Sequence, residues 1–144
     1  MCSEHCLRFV TQADCEVEEL PWGPHEWLAR PGLVDAELLQ LVRVTMPAGK
    51  AHAFHRHPHM EELLYILEGK AEQWVGRESR ILGPGEVAHI PMNEVHGTYN
   101  VFDDRLVFLA ILSPAKFEGP ALVDVSHEEP WCSLKTPFTE AGAS

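Results

Sequence analysis

The stretch Gly49-Lys-Ala51-His52-Ala53-Phe54-His55-Arg56-His57-Pro58-His59-Met-Glu61-Glu62-Leu-Leu64-Tyr-Ile66-Leu-Glu68-Gly69 decides how this chain is read. Glycine closes it at both ends, a proline divides it, and a short run with strand character lies on either side. Side chains on a strand alternate between its faces. His55 and His57 therefore point the same way, and Ala51 and Ala53 share their face, small enough to leave room beside a ligand. By the same alternation His52 falls on the opposite face, with Phe54 and Arg56. Pro58 turns the chain, and the second run begins near Glu62, whose face carries Leu64 and Ile66. An antiparallel pairing of the two runs sets Glu62 close to the histidine pair. Glu61 lies on the other face, and the Pro58 turn leaves His59 outside the group.

A second stretch adds the missing donor. Gly85-Glu-Val-Ala-His89-Ile-Pro91-Met-Asn93-Glu-Val-His96-Gly-Thr98-Tyr99-Asn100 places His96 at the start of a later strand and His89 on a face pointing away from it. A barrel can bring that strand round to the same interior point as His55, His57 and Glu62. Three imidazoles and one carboxylate are a competent donor set for a divalent transition metal: zinc, iron, manganese or nickel. Four protein ligands on an octahedral ion leave two positions for water or substrate.

Outward from these stretches the chain keeps one habit. Apolar runs at 38–46, 51–57, 62–67, 71–75, 79–82, 86–90, 96–102 and 105–112 are each four to nine residues long and bounded by Gly, Pro, Asn or Asp. Short, evenly spaced strands with turn residues between them predict an all-β sandwich or barrel. Glu68-Gly69 and Gly76-Arg77 read as hairpin turns, and Gly83-Pro84-Gly85 as a tight strand-to-strand turn. Residues 1–37 read as an irregular arm, broken by Pro21, Gly23, Pro24, Pro31 and Gly32, with a short strand at 7–11. Trp22 and Trp27 in that arm predict packing against the barrel or a second subunit. The barrel itself spans 38–125, with a last strand at 121–125, and 126–144 form a tail whose end from 133 frays.

The chain has 144 residues and a formal net charge of -11. That length suits one domain. The acidity argues against nucleic acid and anionic membranes as partners, since both demand a basic face. No apolar run is long enough to cross a membrane, and the start lacks the basic-then-apolar pattern of a secretory signal. A cytoplasmic protein is expected, and with it free thiols at Cys2, Cys6, Cys15 and Cys132.

The two quoted stretches resemble the paired motifs of the cupin superfamily. Gly49, His55, His57, Glu62 and Gly69 fall at the spacing of the first motif. Gly85, Pro91, His96 and Asn100 fall at that of the second, with Asn93 where the family has glycine. Asn93 tolerates the left-handed backbone which that turn requires. The resemblance covers about 38–112 and implies a cupin-type double-stranded β-helix, a jelly-roll barrel. It implies His55, His57, Glu62 and His96 as metal ligands and a homodimer, often through exchanged terminal strands. It does not select a reaction. Arg43, Gln73 and Tyr99 are the candidates for a catalytic role, with Thr98 and Asn100 as further polar residues. A metal-dependent oxygenase, decarboxylase or isomerase acting on a small polar molecule is expected. The alternative is a metal-containing binding or sensor protein that does no chemistry.

Overall fold

A computed structural model describes residues 5–135. Strands dominate, as the turn spacing predicts. They are β1 (Glu16–Leu20), β2 (Gly23–Ala29), β3 (Gln40–Met46), β4 (Ala51–Arg56), β5 (Glu61–Glu68), β6 (Ala71–Val75), β7 (Glu78–Leu82), β8 (Val87–Ile90), β9 (His96–Tyr99), β10 (Leu106–Ser113) and β11 (Val123–Asp124). One helical turn, α1 (Trp131–Leu134), follows them. Six strands form one antiparallel sheet in the order β1-β2-β3-β10-β5-β8, and five form the other in the order β11-β4-β9-β6-β7. Consecutive strands repeatedly switch sheets, which is the double-stranded β-helix that the resemblance implied.

The main core follows from alternation. Val42, Val44 and Met46 on β3, Leu64 and Ile66 on β5, and Leu106, Phe108, Ala110 and Leu112 on β10 are all buried in one cluster. Each large side chain removed from water contributes about 1.5–3 kcal/mol. Ala51, Phe54, Tyr99 and Val125 form a second cluster on the outer face of the five-stranded sheet, covered by Trp74 and Trp131. The turn at Glu68-Gly69 needs its glycine twice over. Gly69 has φ 80°, and a Cβ there would collide with the carbonyl oxygen of Arg105. Asn93 adopts φ 69°, the left-handed turn conformation expected where it replaces glycine.

Three expectations need correction. The arm is not irregular between 16 and 29: β1 and β2 make an antiparallel hairpin through Pro21-Trp22 and extend the six-stranded sheet along β3. Its prolines looked like breakers, yet Pro24 lies ahead of the first pair with β3, His25↔Val44, so its missing N–H costs no bond on that side. The segment 7–11 makes no strand; Leu7 forms only an isolated bridge with Val34. Cys15 and Cys132 are free, but Cys6 is disulfide-bonded rather than a free thiol. Most of the segment from 133 that was expected to fray lies outside the described residues, as does Cys2. No helix among the described residues is long and apolar enough to cross a membrane.

Candidate metal centre

The two sheets face each other, and the four predicted ligands meet between them. His55 lies on β4 and is paired in register with His96 on β9. His57 follows the end of β4. Glu62 comes from β5 in the opposite sheet. Donor atoms of His55, His57 and His96 all lie within 4.8 Å of one another. Glu62 Oε1 lies 3.3 Å from His57 Nε2 and 3.0 Å from His96 Nε2.

Each ring is oriented by a backbone carbonyl. His55 Nδ1 donates to Ala53 O at 2.7 Å, His57 Nδ1 to Ala121 O at 2.9 Å, and His96 Nδ1 to Glu94 O at 3.0 Å. A carbonyl can only accept, so Nδ1 carries the proton in all three rings and Nε2 is left as the donor toward a metal. This outer bonding is the arrangement that holds metal-ligating histidines. Glu62 Oε1 and His96 Nε2 are buried and complete no aligned hydrogen bond despite their proximity. Such orphaned polar atoms carry a desolvation penalty unless something else occupies the point they share. The donor set therefore fits a divalent transition metal.

Charge in the site is arranged accordingly. Burial pushes the Glu62 carboxyl up, but His57 and His96 outweigh it and hold the group far below the usual carboxylate range. Burial, reinforced by His52, His96 and His57, holds His55 neutral, well below the ordinary histidine value. Burial lowers His57 too, yet the Glu62 carboxylate beside it wins and raises it.

The structure separates the other candidates from this centre. Arg43 points outward from the six-stranded sheet and pairs with Glu26 at 3.2 Å. Tyr99 lies in the outer cluster and accepts a hydrogen bond from Phe54 N. Gln73 is buried, accepting from Thr98 Oγ1 and donating to Trp74 O. Asn100 ties Met46 O, Asp104 O and Phe102 N together. His89 is exposed on Glu61, and His59 stacks on Phe117.

His52 is the residue that alternation misplaced. A bulge interrupts the β4–β9 register between His52 and His55. The extra residue reverses the expected face, because a bulge shifts alternation by one. His52 therefore stacks on His55 with ring centroids 3.5 Å apart, while Ala51 and Ala53 pack against the outer cluster instead. Burial, with His96 and His57 adding to it, keeps His52 well below the ordinary histidine value. Trp22 stacks on the far side of His52 at 3.9 Å, and its indole N–H donates to His25 Nε2.

Beside the centre opens a cavity of about 390 Å³. The β1–β2 hairpin supplies part of its wall through Leu20, Trp22, His25 and Trp27. Val44, Phe108, Leu112 and Phe117 complete a largely apolar lining. The tryptophans thus serve this chain's own barrel.

Comparison with known proteins agrees with this fold. The family model described as "Cupin domain" matches residues 42–112. An RmlC-like cupin from Shewanella frigidimarina superposes with TM-score 0.67 at 20% identity, over 79% of this chain and 96% of its own. The DMSP lyase DddQ from Ruegeria pomeroyi superposes with TM-score 0.67 at 28% identity, over 81% of this chain and 64% of its own. In sequence the chain is 28% identical over 123 residues to the Streptomyces cyaneus protein named polyketide synthase CurC, covering 85% of this chain and 79% of that protein. The chain is a small cupin-domain protein.

Proposed function

We propose that this cupin is a metal-dependent enzyme acting on a small oxygen-bearing molecule held in the cavity beside the three histidines. The reading rests above all on the three Nδ1–H···O=C bonds that leave His55, His57 and His96 with Nε2 free. His55, His57, Glu62 and His96 would hold the ion. Bound there, a divalent transition metal supplies Lewis acidity to a ligand oxygen and open positions for it. Glu62 acts as a ligand and charge balance, so it is not the general base. The apolar walls keep bulk water from the reacting end of the substrate, which strengthens every charge interaction there. The chemistry is of the isomerase, decarboxylase or oxygenase type. The relatives named as a lyase and a polyketide synthase support small-molecule chemistry at such a site.

Elemental analysis of protein purified without a nickel column tests the proposal, with His55→Ala and Glu62→Ala alongside. One equivalent of transition metal in the wild type and little in either variant is expected. Equally low metal in all three overturns it.

A further inference from the structure

The polar groups of the cavity are unevenly committed. Glu18 accepts from the Trp27 indole, and Arg30 is paired with Glu16 and lies over the Trp27 ring. Gln40 donates to Met60 Sδ. His25 is engaged at both ring nitrogens, donating to Gly23 O and accepting from Trp22. His57 and Glu62 belong to the metal set. That leaves His52. Its ring is clamped between Trp22 and His55, yet neither of its nitrogens makes a hydrogen bond among the described residues.

Among the described polar side chains of the lining, only those of the metal centre and His52 lack a satisfied partner of their own, and most of the remaining wall is apolar. A ligand's oxygens are served by the metal centre and His52, while the rest of it lies against Val44, Phe108, Leu112 and Phe117. A polyhydroxylated or zwitterionic molecule would strand polar groups against those walls, at about 1–3 kcal/mol for each group left without a partner. A small dicarboxylate would leave most of a 390 Å³ cavity unfilled. We infer that the substrate is a ring-sized, mainly apolar molecule whose oxygen donors are gathered at one end, as in an enolised aryl β-diketone, and that His52 is the specificity-determining residue that hydrogen-bonds that end. This narrows the small polar molecule expected from the sequence. It rests on the metal-dependent reading above and adds the substrate class to it.

Two commercially simple probes test it: benzoylacetone, an aryl β-diketone, and oxalate, which offers the same two-oxygen grip with no apolar body. Each is titrated calorimetrically into zinc-loaded wild type, His52→Phe and His52→Gln, with the metal content of every sample measured. Phe keeps the stack without a hydrogen bond, and Gln keeps a donor. Wild type should bind benzoylacetone at least tenfold tighter than oxalate. His52→Phe should lose about tenfold for benzoylacetone, the worth of one hydrogen bond, with its zinc retained, and His52→Gln should recover part of that loss. Zinc-loaded wild type that prefers oxalate or binds the two equally overturns the substrate class. An undiminished affinity in His52→Phe overturns the role of His52. Failure of the wild type to take up zinc overturns the metal reading and this inference with it, and the metal measurement tells the cases apart.

Discussion

Replacing Glu62 by Gln changes one oxygen to an amide nitrogen at nearly constant volume, at a residue that is 6% exposed. The carboxylate is the only anionic member of the proposed ligand set, and Oε1 is the atom aimed at the His57 and His96 nitrogens. Loss of an outer-shell partner alone costs about 10–100-fold in metal affinity, so removing the charged ligand costs about a hundredfold or more. Thermal stability reads this out. At a metal concentration of about 100 times the wild-type Kd, binding stabilises the wild type by about 2.7 kcal/mol. At the same concentration the variant sits near its own Kd and gains about 0.4 kcal/mol. For a chain of this size those values become metal-induced Tm shifts of about 11 °C and about 2 °C. Each protein is compared with itself, with and without metal, so any change in metal-free stability cancels. His59→Ala, outside the centre on Phe117, should keep the full shift. Scanning calorimetry that gives Glu62→Gln the wild-type shift would refute Glu62 as a ligand.

Other perturbations test the surroundings of the site. Burial depresses the folded pKa of His25, His52 and His55, whereas Glu62 raises that of His57. A depressed imidazole contributes stability that is lost as pH falls below the unfolded value near 6.5. His57 contributes the opposite way, with stability lost as pH rises through its folded value. Three groups outweigh one, so metal-free protein should lose stability between about pH 7 and pH 5 in denaturant melts, and a rise over that window contradicts the assignment. A Cβ at Gly97 would lie 2.9 Å from the Tyr99 ring and 3.2 Å from Phe54 N. Gly97→Ala should cost about 1–3 kcal/mol by overpacking and shift β9 enough to weaken metal binding through His96; unchanged melting and metal uptake would show that the strand absorbs the methyl group. Leu63, Tyr65 and Leu67 on β5 and Val87 on β8 are exposed on the outer face of the six-stranded sheet, with Tyr65 paired to Val87 and to Leu109 on β10. The homodimer expected from the resemblance is tested at this stripe: sedimentation should find a dimer that Tyr65→Glu converts to monomer, and a wild-type monomer at micromolar concentration removes that expectation.

Much of this molecule is readable from its residues. The strands from β3 to β10 fall where apolar runs lie between Gly, Pro, Asn and Asp, because turn chemistry acts over only a few residues. The separation of Glu62 from Glu61 follows from the two-residue period of one strand, and the exclusion of His59 from the turn at Pro58. Arg43 shows the limit of that reasoning. Alternation puts it on one of two faces, but only the burial of Val42 and Val44 decides which face is interior. Tyr99 and Gln73 show a related limit: nearness to His96 in sequence does not say whether a side chain joins the outer cluster, as Tyr99 does, or bonds a neighbouring strand, as Gln73 does with Thr98.

Local pattern by itself determined an all-β chain of short strands and put His55 and His57 on one face, since period and turn residues are properties of single segments; the resemblance of the two motifs added Glu62 and His96. Tertiary structure alone decided the cavity. The bulge that turns His52 inward is a property of the pairing between β4 and β9, and no spacing within either strand encodes it. The hairpin that brings Trp22 onto His52 is likewise settled by contact. Gly23 lets β2 approach β3 where a Cβ would strike Thr45 O, and that closeness exists only once both strands are in the sheet.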